Sequence, residues 1–170
     1  MCIRDRIASE AGAGDRALSI IKTWRQVLPK STEALRTQVQ LLFALDRVRE
    51  TAEPLRQLLS MSTPDERAAL ITSLPRAAQR ARDKTAASEQ FRQVIGPYLG
   101  AAETRVAARV ALGRMRLADR DTTEALELAR SAHVQDPHAI APVLLALDAT
   151  TAERGTIAST PAVTPIIDAD

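Results

Sequence analysis

The chain has 170 residues with 23 basic and 21 acidic side chains, a formal net charge of +2. This length accommodates one domain with a sizeable core, and the near balance of charge gives no argument for nucleic-acid binding. Apolar residues make up 45% of the chain and aromatic residues only 2%, which favours closely packed helices over sheets. The longest apolar run, 139–147, is much shorter than the about 20 residues of a membrane span.

When the first six residues, MCIRDR, are translated back into codons, the resulting DNA sequence resembles a transposon-end sequencing adapter. We therefore expect residues 1–6 to be foreign to the rest of the chain, with the true N-terminus lying elsewhere. The only cysteine, Cys2, falls in this stretch and indicates nothing about a redox compartment. The abrupt stop at Asp170 predicts truncation at the other end as well.

Apolar periodicity and capping signals predict a series of helices. A helical remnant at 7–11 and a turn at Gly12–Asp15 precede helices over 15–28, 33–45, 48–60, 64–82, 84–95, 102–118, 121–135 and 141–152. Pro54 predicts a late start or a mild bend in its helix, and Pro75 predicts a kink near Leu74. A loop at 155–160 then leads to a last helix from Pro161.

The best-marked helix is the segment from Asp121 to Pro137. Asp121 can cap the first turn, and Glu124 stands three residues later, as in a capping box. Four apolar residues then share one face, namely Ala125, Leu128, Ala129 and Ala132. Because three of the four are alanine, another helix can approach this face closely.

Weaker copies of this helix recur along the chain. Their anchor positions, at the start of each predicted buried face, are residues 17, 51, 87, 125 and 162, with spacings of 34, 36, 38 and 37. A period in this range, with helical patterns inside it, predicts a solenoid of helix hairpins.

The pattern resembles the tetratricopeptide repeat family, in which a small residue is followed by packing residues at four and seven and by proline at twelve. Two copies match this register: Ala125, Ala129, Ala132 and Pro137, and Ala17, Ile21, Trp24 and Pro29. Leu112–Gly113 fall where the family favours leucine–glycine in the first helix. The chain departs from the pattern at Thr51, Thr63 and Pro75, where alanine, proline and glycine are usual.

This resemblance implies an all-α fold, an α-solenoid of antiparallel helix hairpins wound into a right-handed superhelix. About four to five repeats are expected in a single domain over 7–170, near 7–30, 31–62, 63–99, 100–137 and 138–170. The irregular third repeat, with the segment 81–100, is similar to envelope proteins of proteobacteria built from such units. Some of those resemble adaptors that bring substrates to a carboxyl-terminal processing protease, which implies a periplasmic or envelope location.

No catalytic, metal-binding or cofactor-binding pattern is expected. His133 and His138 are the only histidines, and their place beside Pro137 indicates the end of a helix rather than a metal site. Gly12 and Gly14 lack the strand and the lysine that a phosphate-binding loop requires. We therefore expect a protein that is not an enzyme and needs no cofactor.

In the family that this chain resembles, the first helix of each repeat lines a concave surface. The register places seven candidate partner-binding residues there: Arg36, Gln40, Phe43, Arg76, Gln79, Arg80 and Arg114. Arginines on this surface could hold a carboxylate, such as a peptide C-terminus, through paired N–H donors. The competing interpretation is an ordinary solvated polar face.

The sequence thus predicts an interaction scaffold that binds a protein or peptide in a concave groove, with an envelope adaptor as a narrower expectation. A repeat region attached to a larger enzyme or regulator, whose other domain lies outside this sequence, is the alternative. Nucleic-acid binding is not expected, because the arginines lack the interleaved aromatic residues that stack on bases.

Overall fold

The computed structural model describes residues 3–158, and the side chains of residues 12–154. Within this part of the chain the structure is helical and contains no strand, which confirms the predicted all-α class. The helices are α1 (Ile3–Val27), α2 (Thr32–Ala44), α3 (Ala52–Met61), α4 (Pro64–Arg80), α5 (Lys84–Ile95), α6 (Arg105–Ala118), α7 (Thr122–Gln135) and α8 (Ile140–Ala158). Short 3-10 turns at Val48–Thr51 and Gly96–Leu99 precede α3 and follow α5. The helix predicted from Pro161 lies outside the described residues.

Four of the described helices, α2, α4, α5 and α7, begin with a side-chain cap. The Ser31 hydroxyl accepts from the amide of Ala34 at 3.1 Å, and the Asp83 carboxylate accepts from the amide of Ala86 at 2.9 Å. Thr63 and Glu66 form a full capping box, with the Thr63 amide donating to Glu66 Oε2 at 3.0 Å. These bonds satisfy amides that have no partner inside the helix.

The capping box predicted at Asp121 is only half formed. The Asp121 carboxylate accepts from the amide of Glu124 at 3.1 Å, as expected for a cap. The Asp121 amide, however, already donates to the Arg116 carbonyl at 2.9 Å. The Glu124 carboxylate instead pairs with the Arg116 guanidinium at 2.8 Å.

Helices that follow each other along the chain pack together, and α6 also packs against helices two places away. Each of α2, α4 and α6 packs against the next helix along the chain, and α6 also contacts α4 and α8. The central position of α6 agrees with its sequence, which is apolar on more than one side. The predicted repeat boundaries after residues 30, 62, 99 and 137 all fall in connections between helices.

The periodic small and apolar positions form the core. Thr51, Ala87 and Ala125 are completely buried, and the residues four and seven positions after each of them are at most 1% exposed. Those six residues are Leu55, Leu58, Phe91, Val94, Ala129 and Ala132. In the first copy Ile21 is buried but Ala17 and Trp24 are only half-buried, because α1 packs against α2 on one side.

Two helix ends that lie 74 residues apart have the same backbone geometry. Among the described residues, Asp46 after α2 and Arg120 after α6 are the non-glycine residues with positive φ, at 56° and 65°. At both ends the following amide reaches back to the carbonyl five residues earlier, Arg47 to Leu42 at 2.8 Å and Asp121 to Arg116 at 2.9 Å. This Schellman pattern ends a helix without glycine here, and each positive φ falls five residues before a buried position of the periodic set.

The predicted turn at Gly12–Asp15 is wrong, because α1 runs without interruption from Ile3 to Val27. A Cβ atom on Gly14 would collide with the side chain of Leu45 at the end of α2. This glycine therefore serves close packing between helices and does not break one. Glycine costs only about 1 kcal/mol in a helix interior, which longer-range packing can offset.

Other boundaries also differ from those predicted. The loop predicted from Gly155 is wrong as far as Ala158, since α8 continues to that residue. α4 ends at Arg80 rather than at the predicted residue 82, and α6 begins at Arg105 rather than at the predicted residue 102. Both helices are therefore shorter than predicted. The late start predicted from Pro54 is confirmed, because a 3-10 turn precedes α3 and Pro54 lies in the first turn of that helix.

Candidate functional site

A groove opens between α2 and α4. These two helices are not among the pairs that pack closely, whereas α4 and α6 do pack against each other. One hollow in the gap has a volume of about 290 Å³ and is lined from α2 by Arg36, Gln40 and Phe43, and from α4 by Arg76 and Arg80. Five of the seven residues predicted from the sequence therefore meet at one site.

A second hollow, of about 390 Å³, continues from the first. The two share Gln40, Phe43, Ala77 and Arg80, and the second extends to Ala44, Val48 and Ala81. Together they form one channel, called here the α2–α4 groove, which runs along both helices. A combined size of several hundred cubic ångströms is typical of sites that accept a small ligand or a few residues of a peptide.

The floor of the α2–α4 groove is apolar and firmly held. Leu55 and Leu58 of α3 are each 1% exposed, and Val39 and Leu74 are also buried. Phe43 stands edge-on against the buried ring of Phe91, with 5.5 Å between the ring centroids. This contact ties the groove wall on α2 to α5, so that the groove is preformed rather than created by a ligand.

The rim of the groove is basic. Arg36, Arg76 and Arg80 are exposed, and within the described residues none of them forms an ion pair. In contrast, Arg47 pairs with Asp15 at 2.7 Å, and Arg116 pairs with Glu124. The rim arginines therefore keep their donors free for an external acceptor.

The positive charge of Arg36 on the rim contributes to a lowered pKa of one carboxylate, that of Glu66. The pKa of Glu66 lies below its ordinary value, first because the Thr63 amide and hydroxyl donate to it, and to a smaller extent because of the charge on Arg36. The side chain is committed to the capping box at the start of α4. Glu66 therefore stays ionised near the Arg36 end of the groove, although it forms no direct ion pair with Arg36.

Two predicted residues lie away from the groove. Gln79 is exposed on α4, but at 100° per residue it is rotated by roughly 140° from the centre of the groove face. Arg114 is half-buried on α6, and neither residue lines the two hollows. The helix of Arg114 packs directly against α4.

Several groove residues were missed by sequence reasoning. Leu70, Ser73 and Ala77 of α4 also line the wall opposite α2. Ala77 borders both hollows, and its short side chain leaves the space that a larger residue would fill. The signal was present in the small residues of the segment 76–81, RAAQRA, but their periodicity alone indicates helix packing as well as it indicates a groove.

The other features singled out from the sequence remain apart from the groove. His133 and His138 are exposed, and in the described part of the chain no group of three His, Cys, Asp or Glu side chains could hold a metal ion. No helix from Ile3 to Ala158 has both the length and the hydrophobicity needed to cross a membrane.

A separate apolar stripe lies on α8. Its members are 48–72% exposed and recur at helical spacing, and they are Ile140, Val143, Leu144 and Leu147. The stripe faces away from the buried residues Leu145 and Ala149 of the same helix.

Comparison with known proteins adds no assignment to this geometry. No family model, no curated protein and no solved structure matches the chain. The interpretation of the α2–α4 groove therefore rests on its own residues.

Proposed function

We propose that this chain is a non-catalytic interaction module that binds a segment of another protein in the α2–α4 groove. The observation that carries the proposal is the meeting of Arg36, Gln40 and Phe43 with Arg76 and Arg80 around one open channel. Its floor is apolar and its rim arginines have no ion-pair partner among the described residues. An apolar cleft with a few convergent polar groups is the usual form of a binding site.

We further propose that the groove belongs to an array of hairpins of the tetratricopeptide type, wound as a right-handed superhelix. The pairs would be α2 with α3, α4 with α5, and α6 with α7. Two observations support this: the completely buried positions Thr51, Ala87 and Ala125, and the matching turns at Asp46 and Arg120. In such an array the first helices of the pairs line one concave surface, which is where the groove would lie.

In the proposed complex, the floor of the groove makes apolar contacts with the ligand and the rim makes charged hydrogen bonds to it. Burying the apolar surface that Phe43, Leu70 and Ala77 still expose contributes about 25 cal/mol for each Å² removed from water. Each charged hydrogen bond from a rim arginine adds about 1.5–3 kcal/mol. Since the floor is already packed, little of this free energy is lost in ordering the protein.

The proposal is tested by selecting binders from a displayed library of random peptides with the folded protein as bait. Selected peptides are then measured against Gln40→Trp, which fills the groove from an exposed position, and against Gln93→Trp, an exposed glutamine on α5. We expect binding to be lost in Gln40→Trp and kept in Gln93→Trp. Peptides that bind both variants equally, or no selected peptide at all, would refute the proposed site.

Amide chemical shifts provide an independent map. A selected peptide should shift the amide signals of α2 and α4 around the groove, and should leave those of α7 unchanged. Shifts confined to α7 or α8 would place the binding surface elsewhere and contradict the proposal.

A further inference from the structure

The length of the α2–α4 groove favours an extended ligand. The groove follows α2 from Arg36 to Ala44 and α4 from Leu70 to Ala81. At a rise of 1.5 Å per residue these stretches are about 12 Å and about 16 Å long. An extended chain advances about 3.3 Å per residue, so that four or five residues fill the groove.

Gln40 supplies the polar group that an extended backbone needs. Its side chain lines both hollows, and no hydrogen bond from its amide is found among the described residues. A carboxamide can donate to a carbonyl and accept from an N–H. The backbone of an extended peptide presents both groups unpaired, whereas a helical peptide has already used them internally.

The apolar part of the groove has room for a side chain of the ligand. Phe43 is half-buried and, with Leu70 and Ala77, lines the first hollow. A space of 290 Å³ corresponds to on the order of ten water molecules at liquid density. Their displacement by an aliphatic or aromatic side chain removes apolar wall from water.

Arg36 and Arg80 lie on opposite walls of the groove and at different positions along its length. Arg36 lies on α2, seven residues or about 10 Å along the axis from Phe43, and Arg80 lies on α4 beside Phe43 and Ala44. A distance of about 10 Å corresponds to three residues of an extended chain. Side chains three apart in such a chain point to opposite sides, as the two arginines require.

We infer that the groove recognises an internal, extended acidic segment in which two carboxylates three residues apart flank an apolar side chain. The inference rests on the proposed function and names the chemistry of its partner. One carboxylate meets Arg36, the other meets Arg80, and the apolar side chain enters the space beside Phe43. Arg76, on the same wall as Arg80, supports a further acidic residue but is not required.

The probe for this inference is a hexapeptide, Gly-Asp-Thr-Leu-Glu-Gly, labelled with an uncharged fluorophore and with both ends blocked so that only side-chain carboxylates are present. Two further peptides serve as controls. In one, both acids are replaced by their amides; in the other, Gly-Asp-Leu-Glu-Thr-Gly, the acids are two residues apart. We expect fluorescence anisotropy to show at least about tenfold weaker binding of each control, since a charged hydrogen bond is lost or misplaced.

Protein variants test each wall separately. Arg36→Gln and Arg80→Gln should each weaken the acidic hexapeptide about tenfold and reduce the dependence of binding on salt. Arg130→Gln, at an exposed arginine of α7, is the matched control and should bind as the parent protein does. Circular dichroism before each titration shows that the exposed substitutions leave the helices intact.

The outcomes separate this inference from the proposed function. If the acidic hexapeptide does not bind up to millimolar concentration, or binds no better than its amide counterpart, the inference is overturned. If library-selected peptides then still lose binding in Gln40→Trp but carry no such acidic pair, the groove remains the binding site and only the acidic specificity fails. If capture requires a free C-terminal carboxylate, the claim of an internal segment is likewise overturned.

Discussion

Gly113 provides the sharpest test of how closely the helices pack. It lies in the interior of α6, and a Cβ atom there would collide with Cδ2 of Leu145 on α8. Leu145 is itself completely buried, so that a shift of its side chain would have to be accommodated inside the core. Gly12 is the matched control, because it also lies in a helix and a Cβ there meets nothing within 4 Å.

The two alanine substitutions should therefore act in opposite directions. Alanine is favoured over glycine in a helix interior by roughly 0.5–1 kcal/mol, and this gain should be fully expressed in Gly12→Ala. At Gly113 the same gain is opposed by overpacking, which typically costs about 1–3 kcal/mol. We expect Gly113→Ala to be less stable than Gly12→Ala by about 1–3 kcal/mol, or by several degrees in Tm.

Urea unfolding followed by circular dichroism and by Trp24 fluorescence measures both variants and checks that the two probes report one transition. A double-mutant cycle with Leu145→Ala isolates the clash, since the truncated side chain no longer reaches residue 113. The coupling free energy should be favourable and about 1–3 kcal/mol. A Gly113→Ala protein that gains as much stability as Gly12→Ala, with no coupling to residue 145, would refute the packing argument.

Three further predictions concern the core and the caps. Phe91→Ala should cost about 3–5 kcal/mol of unfolding free energy, because the ring is fully buried, and denaturant unfolding should show a smaller cost for the half-buried Phe43→Ala. Thr51→Val should cost about 1–3 kcal/mol in the same assay, because it removes the hydroxyl that donates to the buried Val48 carbonyl at 2.6 Å, while Thr51→Ser keeps the bond and should cost less. Thr63→Ala should raise the pKa of Glu66 toward its ordinary value in an NMR titration, because the hydroxyl that donates to the carboxylate is lost. The lowered pKa means that this cap stabilises the fold above the ordinary carboxyl pKa and loses its effect as pH falls through the folded-state pKa; an unchanged Glu66 titration would contradict the assignment.

Local chemistry was sufficient to predict most helices. Ser31, Thr63, Asp83 and Asp121 each accept an amide of the first turn, and these residue types are strong caps whatever the tertiary fold. The turn predicted at Gly12–Asp15 failed because glycine is ambiguous: it can end a helix or allow another helix to approach. Only the position of Leu45 against Gly14 distinguishes these roles.

The candidate site was only partly predictable for a similar reason. The repeat register identified Arg36, Gln40 and Phe43 on one helix and Arg76 and Arg80 on another, and these now border one groove. Register could not tell that α4 packs against α6 while it stands apart from α2. Arg114 was therefore grouped with residues that line the α2–α4 groove, although it lines neither hollow.

The sequence by itself determined the helical class, the N-cap at Asp121 and the buried faces of the periodic helices that begin near Thr51, Ala87 and Ala125, since these depend on residues within one or two turns of each other. Tertiary structure decided which neighbouring helices touch and which remain apart, because that depends on side chains tens of residues distant. The absence of a side chain at Gly113 allows Leu145 of α8 to pack closely against α6. Between α2 and α4 the short side chain of Ala77 leaves space open, and that difference turns a polar helix face into a groove.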